Sequence, residues 1–259
     1  MKISGLHNIY FSPTGNTLKI NNRFLQGFDA PDFVCDLMKE QIKEPLFIPK
    51  DGLLVISLPV FEGRVPKFCL ETLHNLRGDN TPAIALVVFG NRNFDDALIE
   101  LCDILSENGF IIAAGGAFVA EHSIIHRIGR HRPDEQDLLE VDQFSEKCRA
   151  KIDAALVGKV SPVEVKGVRP YRTLPFDYSL VPTGDESCTG CLDCVDICPT
   201  HAIKAENPAE TDAALCVSCF ACAKICPVRC RQPRDPKIME VAEYLMQFAD
   251  KRRTPRVFI

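Results

Sequence analysis

Residues His7 to Thr17 read HNIYFSPTGNT, an apolar run that breaks into a hydroxyl-rich turn and then opens a helical pattern from Asn16. The backbone N–H groups at the start of a helix are unpaired and carry positive potential, so they hold a phosphate without lysine or arginine. Ser12, Thr14 and Thr17 add hydroxyl donors, and Gly15 lets the backbone approach closely. Taken alone, Ser12-Pro13-Thr14-Gly15-Asn16-Thr17 would serve equally as an ordinary helix cap, with Ser or Thr satisfying orphan amides. Its place directly after an N-terminal strand favours the phosphate.

Outward from this turn, short apolar runs alternate with helical patterns. His7 to Phe11, Phe33 to Leu37, Leu53 to Leu58, Ala83 to Phe89 and Phe110 to Val119 read as strands. Asn16 to Phe28, Val65 to Leu76, Asp95 to Asn108 and Pro133 to Leu156 read as helices; Leu98, Leu101, Cys102 and Leu105 mark one helical face. Such alternation predicts an α/β domain over residues 1–159, with a doubly wound, five-stranded parallel sheet covered by helices on both faces. In such sheets ligands bind outside the carboxyl ends of the strands, where the strand order reverses. The third strand runs into LPVFEGRVP (Leu58 to Pro66) and the fourth into FGNRNFDD (Phe89 to Asp96), so three loops are expected to meet on one edge. Residues 160–184 lose periodicity around Pro162, Pro170, Pro175 and Pro182, and read as a linker lying on the first domain. In 236–259, Ile238, Val241, Leu245 and Phe248 mark one face of a final helix followed by a tail.

The second decisive stretch lies in 185–235. Cys188, Cys191, Cys194, Cys198 and Cys216, Cys219, Cys222, Cys226 each form C-x2-C-x2-C-x3-C-P, the spacing that cubane iron-sulfur clusters require. The fourth cysteine of each run, turned away by Pro199 or Pro227, reaches the other cluster. Cluster one is therefore expected on Cys188, Cys191, Cys194 and Cys226, and cluster two on Cys216, Cys219, Cys222 and Cys198. Zinc wants four ligands in two separated pairs, which this pattern does not offer.

Composition bounds the rest. The chain has 259 residues, 46% of them hydrophobic, enough for one ordinary domain with a small second module. A net charge of -5 argues against a nucleic-acid footprint and leaves docking to a basic patch on a redox partner open. The run Lys251, Arg252, Arg253, Arg256 reads as a solvated terminus. No signal-peptide core and no membrane-length apolar run is visible, so the expectation is a cytoplasmic protein without membrane insertion. The oligomeric state stays open, a homodimer included.

With these residues in view, two resemblances can be stated. SPTGNT is similar to the FMN phosphate loop of the flavodoxin family, Ser/Thr-x-Thr-Gly-x-Thr, at every specified position, and Asp185 to Cys230 resembles a bacterial-type ferredoxin domain with two 4Fe-4S clusters. PVFEGRVP, GNRNFDDAL, GAFVAEHS (Gly116 to Ser123) and RPDEQDL (Arg132 to Leu138) extend the likeness over nearly the whole chain to the EFR1-type flavodoxin-ferredoxin fusions. The resemblance implies FMN plus two 4Fe-4S clusters and a low-potential electron carrier or redox module serving a partner oxidoreductase. The flavin is then expected against Ser12 to Thr17, Pro59, Val60, Phe61, Gly63, Phe89, Gly90, Asn91, Arg92, Phe94 and Asp96. Phe61 and Phe94 would pack on its ring, the Gly90-Asn91-Arg92 backbone would bond its polar edge, and Arg64 or Arg92 would sit near N1. Two other readings stand beside this one: a flavoenzyme passing hydride to a small organic substrate, and a redox-sensing iron-sulfur protein.

The chain departs from the fusion pattern in two places. Phe61 and Phe94 stand where tyrosines are expected, and Val228-Arg229-Cys230 follows the second Cys-Pro, whereas the first keeps CPTHAI. Cys230 reads as a free thiol beside Cys226. Cys35, Cys69, Cys102 and Cys148 read as small buried hydrophobes. His122 and His126 suggest a shared helix face for a metal but lack a third ligand; His122 and Ser123 end the fifth strand on the cofactor edge. No G-x-G-x-x-G follows a strand, and neither a Walker loop nor a G-x-S-x-G elbow occurs, which sets aside dinucleotide-binding and hydrolase readings.

Overall fold

A computed structural model of the chain describes residues 3–155, 160–173, 180–249 and 251–259. In chain order the sheet domain comprises β1 (Leu6–Tyr10), α1 (Asn16–Leu25), β2 (Phe33–Asp36), β3 (Leu46–Ile48), β4 (Leu53–Pro59), α2 (Leu70–Asn75), β5 (Leu76–Gly78), β6 (Thr81–Phe89), α3 (Ala97–Glu107), β7 (Phe110–Val119) and α4 (Glu135–Ala155). The cluster module and tail follow as β8 (Pro182–Thr183), α5 (Asp193–Asp196), α6 (Ala221–Ile225), β9 (Gln232–Pro233), α7 (Lys237–Met246) and β10 (Arg256–Phe258).

The main sheet has the order β10-β7-β6-β4-β1-β2. The four pairings that join its five strands from β2 to β7 are parallel, as in β1 on β4 (Ile9 opposite Ile56) and β4 on β6 (Ser57 opposite Leu86). This is a flavodoxin-like, doubly wound α/β fold, and the direction of winding reverses between β1 and β4. Residues 81–89 are buried throughout, as expected for a parallel strand covered on both faces.

One face of the sheet is covered by α1 and α4, whose Ile20, Phe24, Val141, Phe144 and Cys148 share a core with Val55, Leu86 and Phe118. Each such side chain contributes about 1.5–3 kcal/mol when fully buried. Arg23 on α1 binds Asp142 on α4 through both carboxylate oxygens at 2.6 Å. The other face is covered by α3 through Leu98, Leu101, Cys102 and Leu105, the stripe expected from the sequence.

Three expectations are corrected. The helix expected over Val65 to Leu76 is a 3-10 turn (Lys67–Cys69) followed by α2, because Pro66 is extended at ψ 127° and Leu76 at ψ 139° turns out to pair β5 with β3. The sheet has six strands: β10 from the tail pairs antiparallel with the β7 edge, Val257 opposite Gly116. The tail is therefore no solvated terminus, and its Arg252 binds Asp134 at 2.7 and 2.9 Å and Asp137 at 3.1 Å.

The linker is more than a surface strap. Val163 N–H donates to Ile112 O at 2.9 Å, Val165 enters the core, and Arg172 N–H donates to the Asp96 carboxylate at 2.7 Å. Pro175 lies outside the described residues. In α7 the expected face is only half-buried, and the helix ends at Met246, before Phe248.

Candidate redox site

At the carboxyl edge of the sheet the loops are bonded to one another. Gly15 begins α1 at φ +87°, and with no side chain there to cap the helix, Ser12 Oγ accepts from Leu18 N–H at 2.8 Å. That bond leaves the Ser12 hydroxyl proton free to donate. A Cβ at Gly15 would meet nothing within 4 Å, so its glycine answers to backbone conformation and leaves open space at the turn. Thr17 is buried and begins the inner stripe of α1, while Asn16 Nδ2 donates to Glu121 O at 3.2 Å, joining this turn to the loop after β7.

The loop after β4 turns back at Glu62 (φ +55°) and Gly63 (φ +81°), both left-handed as a tight hairpin turn requires. Phe61 and Arg64 exchange backbone bonds at 3.1 and 2.9 Å across it. Phe61 and Phe68 flank the buried Phe11 ring at 6.2 and 5.1 Å, and Phe94 lies 5.6 Å from Phe89. Both Phe61 and Phe94 are half-buried at the rim. Asp96 N–H donates to Gly63 O at 2.9 Å, and a Cβ at Gly63 would stand 2.5 Å from Asp95 Oδ2, so the two loops touch here. Pro59 still belongs to β4, opposite Val88, and Val60 N–H donates to Val88 O at 2.8 Å.

Several residues expected against the flavin have other partners. Asn91 N–H donates to Phe89 O and Arg92 N–H to Gly90 O, which removes two of the backbone donors expected for the ring's polar edge. The Asn91 side chain is buried and donates to Phe248 O and Lys251 O while accepting from Arg132 at 2.9 Å. Arg92 binds Asp95 in its own loop, and Asp96 is buried at the start of α3, holding the linker. Phe89 is core. Arg64 is held by both oxygens of the buried Glu100 at 2.8 and 2.7 Å, with the Tyr171 ring 4.9 Å from its guanidinium carbon. Glu100, Tyr171 and Arg172 carry no sequence signal for this role, because nothing local relates α3 to the linker.

His122 packs on Gly90, where a Cβ would stand 2.6 Å from its ring. Its Nδ1 accepts from Ile124 and Ile125 N–H, each at 3.2 Å, which puts the neutral ring's proton on Nε2. Burial depresses its pKa to about 4. His126 pairs with Glu121 at 2.9 Å, in a segment that is not helical.

In the cluster module the eight motif cysteines line two cavities. Cys198, Cys216, Cys219 and Cys222 line one cavity, and Cys188, Cys191, Cys194 and Cys226 line a second. Among the described residues no three Cys, His, Asp or Glu side chains converge tightly enough for a single metal ion. Thiols spread around a cavity, with few competing polar groups, fit a multi-iron cube. Cys230 also lines the second cavity, its Sγ 3.5 Å from that of Cys226. Cys219 and Ala221 join the hydrophobic core that Phe61 and Phe94 pack against, whereas Cys191 is exposed. In the sheet domain, burial pushes Cys35 up to about 11 and Cys102 and Cys148 up to about 12, so these thiols are inert at neutral pH.

Residues 183–204 match the family described as a 4Fe-4S binding domain, a span that holds the first cysteine run. A flavodoxin-like sheet domain and a 4Fe-4S binding segment thus share one chain. No curated protein matches it in sequence. Among solved structures it is similar to the Streptococcus pneumonia TIGR4 flavodoxin, with 14% identity over 56% of this chain and 98% of that one and a TM-score of 0.41. It is also similar to a flavodoxin from the domain Archaea, with 18% identity over 59% and 99% and a TM-score of 0.39. The fold assignment rests on strand order and register. A redox, electron-transferring role follows from the pairing of modules, and no helix among the described residues is long and apolar enough to cross a membrane.

Proposed function

We propose that the protein moves electrons between FMN and two 4Fe-4S clusters on behalf of a partner oxidoreductase, as an EFR1-type fusion. The observation that carries this reading is the sorting of the eight motif thiols, four to each of two cavities, each set completed by the fourth cysteine of the other run. When bound, FMN supplies exchange between one- and two-electron chemistry, whereas each cube passes one electron at a time.

The residues divide the work. The α1 N-terminus with Ser12, Thr14 and Asn16 would hold the phosphate, a donor set with no carboxylate in the turn itself. Phe61 and Phe94 would flank the ring, and the burial of neighbouring loops would exclude water from it. Cys219 and Ala221 bring the cavity of Cys198, Cys216, Cys219 and Cys222 against the sheet domain, so that cluster is the one assigned to exchange with flavin. The exposed Cys191 assigns the other cluster to exchange with a partner.

One observation favours a second reading, reduction of a small organic acceptor at the flavin: His122 presents an Nε2 proton beside Gly90 on the same edge. Anaerobic purification with cofactor extraction tests the first reading, which expects iron for two cubes and one FMN per chain. Cys188→Ala and Cys216→Ala should each lose iron while FMN stays bound. Loss of flavin with iron retained would overturn the division into two sites.

A further inference from the structure

Arg231 follows the fourth cysteine of the second run by five residues, as Ile203 follows that of the first. The two halves of the repeat therefore place an isoleucine, 2% exposed and packed with Cys194 and Cys222, opposite a charged side chain that is 3% exposed. The guanidinium is fixed by Pro182 O at 2.9 Å and by Pro208 O and the Thr211 hydroxyl. These oxygens are neutral, so none of them cancels the charge.

The same group faces sulfur. Arg231 Nη1 lies 3.8 Å from Cys194 Sγ. Its Nε is buried with no hydrogen-bond partner among the described residues. Arg231 itself lines the cavity of Cys188, Cys191, Cys194 and Cys226, while Pro182 and Thr211, which hold it, line the other. A buried cation with no counter-ion is costly. Two anionic cubes, one on each side, would supply it.

We propose that Arg231 is the shared counter-ion of the two clusters and raises the reduction potential of both, an inference that rests on the two-cluster reading above. Each electron taken up adds one negative charge to a cube beside a fixed positive one, and an arginine keeps its charge at every working pH. The reduced state is thereby favoured over the oxidised state. Hydrogen bonds and charges around the sulfurs are the protein's means of setting such potentials. Isoleucine, the residue of the first half, would remove the effect.

The test is a redox titration of the anaerobically purified full chain with dithionite, followed by electron paramagnetic resonance and visible absorbance, with iron and FMN measured in every sample. Arg231→Ile and Arg231→Gln should keep their iron and shift the reduced-to-oxidised ratio of the clusters tenfold or more toward oxidised at a fixed potential, about 59 mV for one electron. Arg231→Lys should stay closer to the unsubstituted protein than Arg231→Gln does, and the flavin couple should move least. Unchanged cluster potentials in Arg231→Gln with iron retained overturn the proposal. Loss of iron from all three variants overturns it too, since Arg231 is then only a structural prop. An unsubstituted protein that holds no iron sinks the cluster reading itself, and the counter-ion with it.

Discussion

His122 shows how one residue joins chemistry to stability. Its Nδ1 is spent on two backbone N–H groups, and burial holds the ring neutral with a pKa lowered from 6.5 to about 4. The unfolded chain binds a proton there between these two values and the folded chain does not, so stability falls as pH drops from 6.5 toward 4. The full effect is on the order of 3 kcal/mol by linkage, and partial solvent access to the ring reduces it. Denaturant midpoints at pH 7 and pH 5 should differ in this direction, and His122→Gln should narrow the gap; equal gaps would show that the ring does not titrate this way. The sequence placed His122 and Ser123 at the end of the fifth strand, because strand ends are legible in a run of apolar residues. It did not foresee that Asn91 and Arg92 would be consumed by Phe89, Gly90, Asp95 and the tail, since a loop's own hydrogen bonds leave no periodic trace.

Among elements, the C-terminal strand was the one least visible in advance. Three residues, Arg256 to Phe258, carry no period, yet they cover the β7 edge at Gly115, Gly116 and Ala117, where an unpaired strand would invite association. Arg252 holds the Asp134 carboxyl well below the usual carboxylate range through its hydrogen bonds. That contribution is present above about pH 4 and is lost as the pH falls further. The exposed pair is worth at most about 1 kcal/mol, and each backbone bond of β10 about 1 kcal/mol. Deletion of residues 251–259 should therefore lower sheet-domain stability by about 2–3 kcal/mol and promote self-association at the bared edge. Thermal unfolding and sedimentation would check this, and an unchanged midpoint with a monomeric product would show that β10 does not hold in solution. The long elements β4, β6, β7, α1 and α4 were legible because each spans enough residues to display its period.

At the scale of the whole molecule the two modules differ in what holds them. The sheet domain has two extensive apolar cores, whereas the cluster module has a small one of Cys194, Ile203 and Cys222, two of them assigned as ligands. Ligand binding and folding are coupled in such modules. Removal of iron by an anaerobic chelator should expose residues 180–235 to proteolysis while the sheet domain keeps its cooperative unfolding and, on the function proposed above, its FMN. Persistent protection of that segment after iron loss would contradict the assignment of its stability to the clusters. By itself the sequence determined the winding of strand and helix, the hydroxyl-rich turn that opens α1 and both cysteine runs, because hydrophobic period and ligand spacing are local properties. Only the tertiary structure decided which cysteine cavity meets the core of the sheet domain, that the tail returns to the sheet, and that a buried arginine stands beside the thiols. Those outcomes depend on contacts such as Asn91 with Lys251, 160 positions apart, which no local pattern encodes.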